Sequence, residues 1–234
     1  MNTRRMILAG VIGVAAVGGI GYWAMMQGGP APAAPAAPSA TPAAAPATPA
    51  PADSAAVPAQ AIDGTFVLGA ADAPITVIEY ASMTCPHCGH FTVTTFPEVK
   101  KQFIDTGKVR FVFRDFPLDA IALRASMLVR CAGADKGEAL VEMLFRTQDS
   151  WSHAPDPVAA LKQTFRLAGL GDAKADACLA DESLKMAVIQ SRYDAEKTYN
   201  IQSTPSFVIG KTVASGALTI EEFTKFLKDN GLKD

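Results

Sequence analysis

Two cysteines with a Pro-His dipeptide between them, Cys85-Pro86-His87-Cys88, constrain this chain more than any other stretch, because of what flanks them. Upstream, Ile75-Thr76-Val77-Ile78-Glu79-Tyr80-Ala81 is rich in β-branched residues and bounded by Pro74 and Ser82, the pattern of a short buried strand. Downstream, Phe91, Val93, Phe96 and Val99 recur at roughly helical spacing as far as Phe103 and Ile104. A strand running into Cys85 at a helix N-cap, with Pro86 at the first helical position where its missing N–H costs nothing, places the Cys85 sulfur over the unpaired amides of the first turn. Those amides and the helix dipole favour a thiolate. Cys88 falls one turn further in, within disulfide reach, so the arrangement points to dithiol chemistry. Half of a zinc site is the competing reading, with His87 or His90 as further ligands. No second C-x-x-C follows at ribbon spacing, and one helical turn does not easily let both histidines join both thiolates in a tetrahedron. No metal is assigned.

The N-terminus carries a different signal. Arg4 and Arg5 precede an uncharged apolar run from Met6 to Met26, which at about 20 residues is long enough to span a bilayer. Residues 1–29 therefore read as a membrane anchor or signal sequence, with the uncleaved anchor at residues 6–26 favoured. The alternative is a cleaved signal, for which Ala31-Pro32-Ala33 is the one nearby site and lies among prolines. The positive-inside rule leaves Arg4 and Arg5 in the cytoplasm and exports the remainder. Residues 30–61 are almost wholly Ala and Pro, without hydrophobic periodicity. Such a tract cannot bury a core, and its prolines bias it towards polyproline II at about 3.1 Å per residue, a stiff tether. A formal net charge of −2 is too small to point to nucleic acid or an anionic surface as partner.

Four cysteines in an exported chain fall where disulfides persist, and four thiols allow three pairings. The spacing argues for Cys85–Cys88 as the active pair, which leaves Cys131 with Cys178 in a structural disulfide. Two buried free thiols are the alternative.

Along the folded part, Phe66-Val67-Leu68 and residues 75–81 are the first two strand candidates. A first helix over Cys85 to Asp105 follows, kinked at Pro97 and closed by Gly107. Val109 to Phe116 alternates enough to be the next strand, completing a βαβ unit. Leu118 to about Tyr199 contains no convincing strand, and its Gly and Pro residues divide it into about four or five helices. Ser206 to Ile209 and Thr212 to Ala214 then read as a hairpin around Gly210-Lys211, and Thr219 caps a final amphipathic helix. The fold class is α/β. The order matches a thioredoxin fold, residues 62–117 and 200–234, with an all-helical insert at residues 118–199.

Glu79 to Cys88, the helical insert, and Ser203-Thr204-Pro205-Ser206-Phe207-Val208 together resemble the DsbA-type thiol:disulfide oxidoreductases of bacterial periplasms, over roughly Gly64 to Leu227. The resemblance implies that Cys85 is the sulfur that attacks and is attacked, that Cys88 is the resolving thiol, and that His87 stabilises the Cys85 thiolate. It implies a cis bond between Thr204 and Pro205, with that loop beside the dithiol and open to the substrate chain. It assigns Glu79 to a buried acid that helps proton transfer. The expected function is a dithiol oxidase, without cofactor, that donates the Cys85–Cys88 disulfide to reduced cysteine-containing exported proteins. The expected partners are those proteins and a membrane reoxidising protein of the DsbB type, with the chain acting as a monomer. Thr204 stands where the best-known oxidases have valine and occurs in isomerases, so an isomerase or reductase on the same fold is the alternative. A tethered thioredoxin-fold metallochaperone is a further one, though it leaves the Thr204-Pro205 loop unexplained. His90 and His153 read as surface residues.

Overall fold

The structure is a computed structural model that describes residues 66–233. The expected anchor and Ala/Pro linker lie outside the described residues. Five strands form one sheet in the order β1-β3-β2-β4-β5. They are β1 (Val67–Leu68), β2 (Ile75–Ala81), β3 (Val109–Asp115), β4 (Ser206–Ile209) and β5 (Thr212–Ser215). β2 and β3 pair in parallel from Ile75 opposite Val109 to Ala81 opposite Asp115, as a helical crossover between them permits. β1 adds antiparallel outside β3, and β4 adds antiparallel to β2. β5 returns through a tight hairpin, Ile209 opposite Thr212, in which Gly210 takes φ 59°.

The side-chain alternation of β2 explains its place at the centre of the sheet. Ile75 and Val77 join Phe91, Phe103, Phe111, Phe207 and Phe223 in one core, while Ile78 and Tyr80 join Val112, Phe116, Ala195, Ile201 and Val208 in another. A strand covered on both faces must be apolar on both, which β2 is except at the half-buried Thr76 near its start and at the buried Glu79. By the same alternation Glu79 falls on the face of Ile75 and Val77, under the crossover helix. Aromatic contacts bind the helix to the sheet, with Phe91 4.6 Å from Phe207 and Phe96 4.9 Å from Phe111 between ring centroids. Each buried Phe contributes about 1.5–3 kcal/mol from area alone.

The crossover is one helix of changing pitch: α1 (Pro86–His90), a π-helical turn (Phe91–Thr95), α2 (Phe96–Val99) and a second π-helical turn (Lys100–Ile104). The expected kink at Pro97 takes this form because Pro97 has no N–H to donate to the carbonyl one turn back. The ladder shifts register, and the Phe96 N–H reaches the Phe91 carbonyl instead. Gly107, at φ 75°, ends the helix.

The insert contains six α-helices among the described residues, one or two more than the expected four or five. They are α3 (Ala120–Ala132), α4 (Gly137–Arg146), α5 (Gln148–Ser152), α6 (Pro157–Leu167), α7 (Asp172–Leu179) and α8 (Glu182–Tyr199), with a 3-10 turn at Ala134–Lys136. The miscount has a local cause. The break between α4 and α5 falls at Thr147, without Gly or Pro, and α8 begins at Asp181, whose carboxylate accepts from Ser183 N and Leu184 N. α8 ends on Asn200 in the left-handed region, φ 54°. The final helix α9 (Ile220–Asp229) starts on the expected Thr219 cap, closed reciprocally by Glu222.

Candidate active site

Cys85 is the N-cap of α1, at φ −79° and ψ 118°, and Pro86 follows in the first turn. Both thiols are reduced and buried, Cys88 completely. Their environments push them apart. The Cys85 thiol is lowered from the ordinary 9.0 to about 5, chiefly by a hydrogen bond from Cys88 and further by the Thr204 side chain and the backbone N–H groups of Cys88 and His87; burial opposes this. The Cys88 thiol is pushed well above its ordinary value, first by burial and then by the Cys85 sulfur that it supports. One sulfur is thus a thiolate at neutral pH and its neighbour a thiol.

Thr204 and Pro205 arrive from the far end of the chain. The peptide bond between them is cis, and the Cys85 sulfur lies 3.3 Å from the Thr204 carbonyl oxygen. The buried Thr204 hydroxyl has no hydrogen-bond partner among the described residues, which leaves its proton for the Cys85 thiolate. Pro205 offers no N–H, and its carbonyl accepts from Gly216 N at 2.9 Å. The His87 ring is exposed, and among the described residues no hydrogen bond joins it to Cys85; its contribution to the sulfur comes from its backbone N–H. His90 and His153 are also exposed, and His153 Nδ1 meets its neighbour Ser152 Oγ at 3.1 Å.

Glu79 is 2% exposed, and its Oε1 has no hydrogen-bond partner among the described residues. Burial first, and the nearby Cys85 charge second, raise its carboxyl from 4.5 to about 8. It lines a cavity of about 230 Å³ between apolar walls that include Phe96 and Phe113, with Lys100 and Glu138 at its polar rim. The Lys100 ammonium and Glu138 carboxylate there are 3.2 Å apart and partly exposed. The Glu79 carboxylate, when ionised, in turn raises Cys88, so this carboxyl and the Cys88 thiol are electrostatically coupled. Cys131 on α3 and Cys178 on α7 form a disulfide, their Cα atoms 6.2 Å apart; Cys178 belongs to the same buried cluster as Cys85 and Cys88, and Cys131 packs against that cluster.

Some residues of the site have no sequence signal. Gln148, Thr84 and Asp119 hold the loop before Cys85; Thr84 lies in the Glu79–Cys88 stretch but no role for it is legible there, and Gln148 and Asp119 belong to no recognisable motif. Only the Asp119 cap of α3 is readable as a helix start.

The pattern that defines the thioredoxin family matches residues 61–229. A Rickettsia bellii protein described as a candidate protein-disulfide oxidoreductase is 34% identical over 148 residues, 63% of this chain and 57% of its own length. This chain thus spans little more than half the length of such Rickettsia relatives. Disulfide bond formation protein D of Bacillus subtilis is 30% identical over 181 residues, 71% of this chain and 77% of that one. The crystal structure of Wolbachia pipientis alpha-DsbA1 superimposes with a TM-score of 0.66 at 30% identity, covering 71% of this chain and 90% of that one. By the family pattern and by these relatives, the chain belongs to the thioredoxin family and, within it, to the DsbA-type disulfide oxidoreductases.

Proposed function

We propose that the protein is a dithiol oxidase that transfers the Cys85–Cys88 disulfide to reduced exported proteins. A substrate thiolate attacks the Cys85 sulfur, a substrate–Cys85 disulfide forms, and the bond to Cys88 breaks. The electron pair leaves with Cys88, whose raised affinity for protons draws one from the Glu79 carboxylic acid. The second substrate thiolate then attacks the substrate sulfur and expels Cys85, which departs as a stable thiolate. Substrate loses two electrons and the enzyme pair gains them. The cis Thr204–Pro205 loop presents a backbone edge beside Cys85 on which a substrate strand fits, and the Thr204 hydroxyl stabilises the leaving thiolate.

The observation that carries this reading is the split within the pair, an acidic Cys85 beside a Cys88 that holds its proton. A thiolate that is stable in the reduced enzyme makes the disulfide easy to reduce, so electrons flow from substrate to enzyme. That direction requires reoxidation, and the proposed reoxidant is a membrane protein of the DsbB type. The proposed location is the periplasm, with residues 6–26 as the tether. Among the described residues no helix is long and apolar enough to cross a membrane. The test is a redox titration of Cys85–Cys88 against glutathione, paired with oxidation of a reduced two-cysteine peptide. An oxidase reaches half-reduction in a glutathione mixture far more oxidising than one that half-reduces an ordinary protein disulfide. A strongly reducing pair that leaves the peptide reduced would overturn the proposal.

A further inference from the structure

The loop from Ser82 to Cys85 is held by the insert at two places. Gln148, the first residue of α5, is 9% exposed. Its Nε2 donates to the Met83 carbonyl at 2.8 Å and to the Cys85 carbonyl at 3.1 Å. Both partners are acceptors, so only the amide nitrogen satisfies them, and both of its protons are used. A second attachment lies at the start of α3. Thr84 Oγ1 donates to Asp119 Oδ2 at 2.5 Å, while Asp119 Oδ1 accepts from Ile121 N and Ala122 N, each at 2.8 Å. Ser82 Oγ accepts from Leu118 N at 3.2 Å.

These bonds act on the residue whose geometry matters most. The Cys85 sulfur is stabilised by the His87 and Cys88 amides only while the backbone of Cys85 keeps its extended N-cap conformation over the first turn of α1. The Cys85 carbonyl also accepts from Gly89 N at 3.1 Å, so it is shared between α1 and Gln148. We infer that Gln148 is a positioning residue that holds Cys85 over the amides of α1, so that the helical insert sets the redox poise of a pair it does not itself contain. The inference rests on the reading of Cys85 as the attacking thiol.

The experiment compares the full chain with Gln148→Met, which keeps side-chain bulk and removes both donors, and with Thr84→Val, which cuts the Asp119 bond while leaving Asp119 to cap α3. Three quantities are measured on each: Cys85 thiolate absorbance against pH, the equilibrium with glutathione, and thermal unfolding. Gln148→Met raises the Cys85 pKa by about one unit and moves the glutathione equilibrium about tenfold towards the disulfide, one unit being a factor of ten. Thr84→Val moves both in the same direction by roughly twofold to threefold, the low end for a single hydrogen bond. A merely structural tether would lower the melting temperature and leave pKa and equilibrium within about twofold of the parent, and that result in folded Gln148→Met overturns the inference. Should Gln148→Met fail to fold, Thr84→Val decides: a shift of about twofold to threefold towards the disulfide supports the inference, and a pKa and equilibrium indistinguishable from the parent in replicate titrations overturn it. A parent Cys85 that titrates as an ordinary thiol overturns the functional reading together with this one, whereas an acidic parent and an unmoved variant overturn this one alone.

Discussion

At Cys85, opposing effects meet on one sulfur: burial resists the charge, while the Cys88 thiol, the Thr204 hydroxyl and two backbone amides stabilise it, and the stabilising contributions win. Thr204→Val tests one of them with little change of shape. The variant raises the Cys85 pKa by about one unit, the worth of one hydrogen bond to a charged group, which thiolate absorbance reads directly. Because the thiolate's stabilisation is linked to folding, the reduced variant is less stable than the parent above about pH 6 and matches it below about pH 5, where Cys85 is protonated in both. Glu79 makes the opposite kind of contribution. Its carboxyl is held at about 8 in the folded reduced protein against 4.5 ordinarily, so between these values the folded state retains a proton that the unfolded state has lost. Stability is full below about 4.5, falls as pH rises to about 8, and stays low above it. Glu79→Gln removes that loss: the reduced variant matches the parent near pH 4 and exceeds it near pH 9 by a few kcal/mol, at about 1.4 kcal/mol per unit. The same change slows proton transfer to Cys88 during disulfide donation on the order of 10–100-fold, which stopped-flow measurement with a reduced peptide resolves. Equal stability curves for parent and variant would remove the buried acid from the account.

The crossover helix shows how far a single element can be read in advance. Its start at Cys85, its irregularity at Pro97 and its end at Gly107 follow from local chemistry: a free amide turn, a missing N–H and a residue tolerant of positive φ. The π-helical turns are not legible, because which carbonyl a displaced N–H finds depends on how Phe91 and Phe96 seat against Phe207 and Phe111. In the insert, helices bounded by Gly or Pro are legible and the one ending at Thr147 is not. The disulfide between α3 and α7 belongs to this scale. It closes a separation of 47 residues, which in the chain-entropy account stabilises the fold by about 4 kcal/mol, with measured values often lower. Cys131→Ser with Cys178→Ser therefore lowers the melting temperature while turnover in thiol–disulfide exchange stays within about twofold of the parent, since neither cysteine is among the groups that stabilise the Cys85 thiolate. Lost turnover in a folded double variant would assign the disulfide a part in the reaction.

Across the whole molecule, redox state and folding are linked through the charge on Cys85. Its folded pKa of about 5 lies below the ordinary 9.0, so the reduced state gains stability that is fully present above pH 9 and is lost as pH falls through 5. In the Glu79→Gln background, which removes the counteracting carboxyl, the reduced form gains on the oxidised form steadily between pH 5 and 9. Denaturant unfolding of both forms across that range checks the slope, and a flat difference would mean that Cys85 is not acidic. The sequence by itself determined the strand that precedes Cys85, the N-cap placement of that residue, the order βαβ, helices, ββα, and the grouping of cysteines by spacing, because each depends on neighbours within a few turns of chain. The family resemblance implies the Thr204–Pro205 loop beside the dithiol and a buried acid at Glu79. Only the tertiary structure decided that the Thr204 carbonyl oxygen would lie 3.3 Å from the Cys85 sulfur, that Glu79 Oε1 would have no hydrogen-bond partner among the described residues, and that Gln148 would hold the Cys85 carbonyl from inside the insert. These contacts join segments that share no periodicity and no spacing. They exist because the sheet brings β2 beside β4 and the insert folds back on the loop above them, and no local pattern of residues encodes either approach.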